Sequence, residues 1–399
     1  IVFRKERMSE TDDLIPVFRP SYGAQEFAAV KAVLESGWAG LGPVTRRFEE
    51  AFARYVGSPH AVATSSCTAA LHLAMHVLEV RGGEVISPSL TFVATNHAIL
   101  YAGARPVFAD VEPGTLTIDP ADVERKISAN TRAITAMHYG GHPADMVSLR
   151  AIASKRGIPI LEDAAHACGA SLNGEKTGTL GDVACFSFHA VKNLATGEGG
   201  MLTFADPALD ARLRRLRWMG IDRGTWDRVA SGAGETKGYA WEYGVPELGW
   251  KCHMNDIPAA LGLAQLARLD AMNARRREIA ALYTGQFSGI PWLQMSVTRP
   301  SVISASHNFV VRVPEAVRGA FIDHLAGKSI CAGMHYVPNH FYSIYGAEKT
   351  SLPVTERVWK TLVTLPLFPD MTERQIGRVV EAVHAFRPGA MASLDERQS

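Results

Sequence analysis

Between residues 60 and 204, short apolar runs alternate with stretches of helical spacing, and few architectures can absorb that rhythm. The runs at 61–64, 84–88, 106–111, 133–138, 159–162, 183–188 and 200–204 are rich in alanine, β-branched and aromatic residues and read as buried strands. Helical periodicity separates several of them, at 68–79, 92–101 and 146–156. Strands buried along their length and joined by helices assemble into a mostly parallel sheet covered on both faces. The expected core is one large α/β domain of about seven strands.

The flanks break the pattern. Residues 1–14 are charged, lack a hydrophobic leader core and read as a flexible arm. Two short helices are expected between 20 and 56, with a glycine-rich loop at 36–43. Residues 221–250 combine Gly, Trp, Tyr and charge without a sustained period, and irregular stretches of that length are often functional. Asn255-Asp256 open a long helical pattern that runs to about residue 283. A smaller α/β unit follows, with strands at 307–313 and 332–337 and helices at 317–325 and 372–386. The expected division is an arm (1–14), a large domain (15–250), a connecting helix (251–285), a small C-terminal α/β domain (286–387) and a disordered tail (388–399).

Composition narrows the function classes. Forty-one basic against 40 acidic residues leave a net charge of +1, which offers no argument for a nucleic-acid or membrane surface. No apolar run approaches the roughly 20 residues needed to span a bilayer. The five cysteines (Cys67, Cys168, Cys185, Cys252, Cys331) form no CxxC pair. They argue against a disulfide frame or a zinc ribbon and fit a reducing, cytoplasmic setting. His138 and His142 are separated by two glycines and need not share a helix face, so no metal site is expected.

Lys192 follows the apolar run 183–188 and precedes Gly197-Glu-Gly-Gly200. Desolvation at such a strand end favours the free amine, which suits a nucleophile, although a snorkelling surface lysine fits the same pattern. Ser65-Ser-Cys-Thr68 lies between a strand and a helix. Its hydroxyls and the free N–H groups of Cys67 and Thr68 suit a phosphate, or serve only as a helix cap. Asp163 and His166 follow the strand at 159–162, at the sheet edge where open parallel sheets bind ligands. Asp163 can hold a heterocyclic nitrogen protonated, or cap the next helix. Phe92 can stack on a flat ring, or belong to the core. No GK[ST] follows the glycines, no GxGxxG follows the first strand, and no GxSxG is present, which disfavours P-loop, dinucleotide and hydrolase readings. One cofactor uses an amine for an aldehyde, a carboxylate under a ring nitrogen, an aromatic on the ring face and a helix N-terminus for a phosphate: pyridoxal 5'-phosphate (PLP).

The order of several motifs resembles the DegT/DnrJ/EryC1/StrS sugar aminotransferases, a group of fold-type I PLP enzymes. The blocks are Ser36-Gly-Trp…Gly42-Pro43, Thr64-Ser-Ser-Cys-Thr-Ala-Ala-Leu-His72, Pro88-Ser-Leu-Thr-Phe-Val-Ala-Thr95, Glu162-Asp-Ala-Ala-His166, Ser187-Phe-His-Ala-Val-Lys192, Asn255-Asp-Ile-Pro-Ala-Ala-Leu-Gly-Leu-Ala-Gln265 and Leu365-Pro-Leu-Phe-Pro369. The resemblance implies that Lys192 forms the internal aldimine and Asp163 pairs with the pyridine nitrogen. It implies that His166 touches the ring hydroxyl, Phe92 stacks on the ring, and Ser187 holds the phosphate with the Cys67 and Thr68 amides. It further implies a homodimer in which Asn255 reaches the neighbouring active site. Cys67 stands where relatives carry glycine, which would strain the turn if that position needed a positive φ.

The activity implied is amino transfer from L-glutamate to a nucleotide-linked keto-(6-deoxy)sugar in amino-sugar biosynthesis. Alternatives on the same fold are a cyclitol aminotransferase, a PLP-dependent dehydratase and a non-catalytic PLP-binding regulator. Dehydratases of the family carry histidine at the lysine position, which favours transamination here. Trp226, Tyr239, Trp241 and Tyr243 in the irregular stretch are candidates for the acceptor site or for a dimer contact, and His335 and Tyr336 for sugar hydroxyl contacts.

Overall fold

The computed structural model describes residues 14–230, 241–347 and 350–388. The expected arm, apart from Leu14, and the expected tail, apart from Pro388, lie outside these residues, as does Tyr239. Seven strands form the main sheet: β1 (His60–Thr64), β2 (Glu84–Pro88), β3 (Arg105–Ala109), β4 (Thr131–Met137), β5 (Ile160–Asp163), β6 (Val183–Ser187) and β7 (Gly200–Phe204). Their spatial order is β1-β7-β6-β5-β4-β2-β3. Only β7 runs against its neighbours; the other pairings are parallel.

Alternate residues of these strands face opposite layers, as the pleat requires. Val62, Leu202, Cys185 and Leu161 pack on one side with Leu71, Met75, Ala98 and Leu213. Ala61, Ala63, Met201, Ala184 and Phe186 pack on the other with Phe48, Phe52 and Leu269. The antiparallel strand has a consequence for the ligand edge: β7 begins where its neighbours end. Thr64 pairs with Gly200 and Gly200 with Ser187, while Asp163 pairs with Cys185 and with Met137.

The helix Asp256–Phe287 spans 32 residues and links this layer to a second, three-stranded antiparallel sheet. That sheet joins Gln294–Met295, Phe309–Arg312 and Leu362–Leu365. Helices Glu315–Gly327 and Glu373–Ala385 cover it, with Tyr283, Phe287, Phe321 and Phe368 buried between. Two helices start on borrowed carboxylates. Asp256 accepts from Gly42 N (3.0 Å), Val44 N (3.1 Å), Thr45 N (2.9 Å) and Thr45 Oγ1 (2.7 Å), and so caps Pro43–Val56, whose own N-cap is glycine. A Cβ on Gly42 would lie 2.4 Å from Trp38 Nε1 and 2.7 Å from Asp256 Oδ2, so any other residue there would have to displace the cap. Asp110 caps Pro353–Trp359 in the same way, at 3.0 Å to Val354 N and 2.7 Å to Thr355 N, and ties the second layer to the first.

Two expectations are corrected. Residues 332–337 are not a strand: Gly333 makes one bridge to Thr364, and the chain then leaves the sheet. It does so because Tyr336 turns inward to His166, and Leu362–Leu365 takes the place beside Phe309–Arg312. The stretch 221–250 is not wholly irregular, since Thr225–Ala230 is helical and Trp226 packs edge-on against Trp38 with ring centroids 4.9 Å apart. No helix among the described residues is long and apolar enough to cross a membrane.

Candidate active site

The site assembles along the edge where β1, β6, β5, β4 and β2 end. Lys192 leaves β6 on a loop closed by Phe188 N donating to Gly199 O (2.9 Å) and Thr196 N to Phe188 O (2.8 Å). Leu194 and Ala195, both buried, anchor the loop from below. Asn193 locks it sideways: its Nδ2 donates to Asn273 Oδ1 and to Ala305 O, each at 2.7 Å. These bonds fix the backbone on either side of Lys192, which is itself half-buried. Burial pulls its pKa from 10.5 down to about 8, against the opposing pull of Cys67 and Asp163.

Asp163 ends β5 and is 3% exposed. Thr95 Oγ1 donates to its Oδ2 at 2.6 Å, and Ala165 N to its Oδ1 at 3.1 Å. Burial raises its pKa even so, with the two hydrogen bonds and Lys192 pulling the other way. A buried carboxylate so placed gains from a cationic partner.

His166 is also buried. Gly140 N donates to its Nδ1 (3.4 Å), so the ring proton sits on Nε2, 3.1 Å from Tyr336 Oη. Burial, then the nearby Lys192 and His335, hold its pKa well below the ordinary value, so the ring is neutral. Tyr336 Oη is kept protonated by burial and by Asp163. His335 bonds Thr364 Oγ1 through Nδ1 (2.8 Å), and burial lowers its pKa to about 4.

The phosphate end is built from β1 and the helix Cys67–Val77. Ser66 caps that helix by accepting from Ala69 N at 3.1 Å, and the amides of Cys67 and Thr68 form its first turn. Ser187, at the end of β6, pairs with Gly200, which pairs in turn with Thr64 at the end of β1. Gly200 is required there, since a Cβ would meet Ser66 O at 2.5 Å and Cys67 N at 2.6 Å. Cys67 is helical and is not among the residues with positive φ, so the strain anticipated at this position does not arise.

Phe92 caps the helix Val93–Tyr101, is 55% exposed, and tilts against Tyr336 at 5.7 Å. Its open face can cover a flat ring. Lys192, Asp163, His166, Cys67, His335 and Tyr336 are thus brought together by mutual bonds and fields. Asn255 is exposed at the start of the long helix, with its Oδ1 accepting from Ile257 N (3.1 Å). Trp241 is 68% exposed, and its carbonyl accepts from Arg228 Nη1 at 3.5 Å. Sequence reasoning gave no role to Thr95, Tyr139 or His307. Thr95 reaches Asp163 across 68 residues of chain, Tyr139 donates to His335 O, and the His307 ring packs tilted against His166 with centroids 4.3 Å apart. No local pattern marks such pairs, because segments distant in sequence create them.

The donor set fits PLP. It has helix-terminal amides and a hydroxyl for the phosphate, a buried carboxylate for a pyridinium, an open aromatic for the ring face and an amine whose pKa is lowered to about 8. The low amine pKa carries a prediction. The rate at which PLP combines with the apoprotein is expected to climb as pH rises towards about 8 and to level off above it. Stopped-flow absorbance checks this; a rate still climbing at pH 10 would place the lysine in open water.

Comparisons with known proteins agree with this chemistry. Residues 20–384 match the DegT/DnrJ/EryC1/StrS aminotransferase family. The aminotransferase TlmJ from Streptoalloteichus hindustanus is 37% identical, covers 96% of this chain and 100% of its own, and superposes with a TM-score of 0.87. The sugar aminotransferase CalS13 from Micromonospora echinospora is 34% identical over 94% of this chain and 100% of its own, with a TM-score of 0.85. Spr1654 from Streptococcus pneumoniae, in its PLP form, is 29% identical over 94% and 100%, with a TM-score of 0.85. The chain therefore belongs to the DegT/DnrJ/EryC1/StrS aminotransferases, PLP-dependent transaminases built on the fold-type I α/β sheet.

Proposed function

We propose that this enzyme transfers the amino group of L-glutamate to a nucleotide-linked keto-6-deoxysugar, in two successive half-reactions at one site. The observation that carries transamination is the Lys192 amine, held with Asp163 in one buried site and with its pKa lowered to about 8. The sugar acceptor is supported by the likeness to CalS13, a sugar aminotransferase, and by the motif order quoted above.

When bound, PLP supplies an aldehyde for covalent linkage and an electron-withdrawing ring that stabilises charge on the substrate carbon. In this reading the Cys67 and Thr68 amides and Ser187 Oγ hold its phosphate. Asp163 keeps the proton on the ring nitrogen, Phe92 covers one ring face, and His166 stands against the ring hydroxyl. Lys192 Nζ would take the proton from the donor's α-carbon and deliver it, within the same half-reaction, to the cofactor carbon that carried the aldehyde, acting first as base and then as acid; the second half-reaction would run the same transfer in reverse towards the acceptor carbon. His335 and Tyr336, uncharged and adjoining, would offer hydrogen bonds to sugar hydroxyls, and the exposed Trp241 is a further candidate contact for the acceptor. A homodimer, with Asn255 directed to the neighbouring site, completes the unit.

Mass analysis of products from a panel of nucleotide-linked keto sugars, with glutamate as donor, tests this. The expected product is the amino sugar, with activity lost when the nucleotide is removed. A product from a free cyclitol ketone would favour a cyclitol aminotransferase, and a deoxygenated sugar a dehydratase. No transfer at all from a loaded protein would favour a regulator.

A further inference from the structure

His307 precedes the strand Phe309–Arg312 of the second sheet, yet it faces the lysine loop of the first. Its backbone N–H donates to Gly140 O at 3.0 Å, and it packs so closely on Gly141 that a Cβ there would lie 3.0 Å from His307 N. Its ring lies parallel to Phe18 (centroids 5.1 Å, 4° between planes) and against His166 on another side (4.3 Å). Phe18 in turn belongs to the second layer, because Leu367 N donates to Val17 O at 3.0 Å and Ile15 bridges Ile330.

The tautomer follows from the neighbours. Asn193 Nδ2 already donates to Asn273 Oδ1 and Ala305 O, so Asn193 Oδ1 is the atom that meets His307 Nδ1, at 2.9 Å. Oδ1 can only accept, which puts the ring proton of His307 on Nδ1. Burial keeps this imidazole neutral, its pKa well below the ordinary value. The titratable and charged groups that face it are His166, Lys192, Arg276 and His335.

We propose that His307 is a positioning residue: its Nδ1–H holds Asn193, and with it the Lys192 loop, so that one imidazole of the C-terminal layer fixes the amine at the cofactor. This inference rests on the reading of Lys192 given above. Three elements meet in the arrangement: the lysine loop, the long helix through Asn273, and the start of the second sheet. Rigid placement of a reacting group requires such support, because a shift of about 1 Å costs on the order of a hundredfold in rate.

The test compares holoenzymes carrying His307→Phe and His307→Asn. Phe keeps the stack on Phe18 and removes the donor. Asn places an amide N–H where Nδ1 stood and removes the ring. The readouts are the pH midpoint of the bound cofactor's visible absorbance, and kcat and KM for glutamate. His307→Phe is expected to move the midpoint by about half a unit or more. It should also lower kcat about tenfold, the effect of leaving Asn193 Oδ1 buried and unpaired, with KM little changed. His307→Asn is expected to restore the midpoint and most of kcat. His307→Gln, whose amide falls nearer Nε2, is expected to behave like Phe and serves if the Phe protein does not load. A wild-type midpoint in the Phe or Gln protein, or an Asn protein as impaired as they are, overturns the proposal. Absorbance that survives Lys192→Ala unchanged would sink the underlying assignment instead, so the two failures are distinguishable.

Discussion

Lys192→Ala is expected to lose the covalently linked cofactor and to slow the glutamate half-reaction by ~10⁴-fold or more, since both the linkage and the proton carrier go with it. The fold should survive. The loop is held by Leu194, Ala195 and the Asn193 bonds rather than by the amine. Borohydride reduction followed by peptide mass analysis provides the check. The wild-type peptide containing Lys192 gains the mass of the reduced cofactor, and the variant gains none. A tag on a different lysine, or half-reaction rates within tenfold of wild type, would falsify the assignment of this amine.

Asp163→Asn carries the second large effect. The shape of the side chain is preserved, and its carbonyl can still accept from Thr95 Oγ1, now bonded to Oδ2 at 2.6 Å. What is lost is the negative charge that keeps a proton on the ring nitrogen, and an amide N–H facing that nitrogen favours its unprotonated form. Removing a preorganised electrostatic contact of this kind costs about 10²–10³ in rate. The expected result is a fall in kcat of that order with KM for glutamate little changed, because the phosphate contacts proposed for Cys67, Thr68 and Ser187 are untouched. Steady-state kinetics with cofactor occupancy measured in parallel decides it. Loss of occupancy with normal turnover per bound cofactor would mean that Asp163 anchors rather than activates.

Much of this site is readable along the chain for a specific reason. Lys192, Asp163, Cys67 and Phe92 each follow a strand that announces itself by a short apolar run, and in a parallel sheet such positions share one edge. The partners of those residues carry no such mark. Thr95 lies inside a helix of ordinary composition, and His307 opens a strand of the second sheet; nothing nearby in sequence distinguishes either from a core residue. The misreading of 332–337 has the same origin. Alternation there resembles a strand, but the pull of His166 on Tyr336 takes the segment out of the sheet.

The linear order of residues was enough to establish the doubly covered α/β layer and the cofactor class, and to nominate Lys192 and Asp163 for the site. Those depend on periodicity and on short spacings that survive in one dimension. Only the folded chain decided the direction of β7, the carboxylates Asp256 and Asp110 lent to distant helices, and the ring of neutral imidazoles around Lys192. Each of these is a contact between segments far apart in sequence. Whether it forms depends on how two layers pack, and packing leaves no local pattern to read.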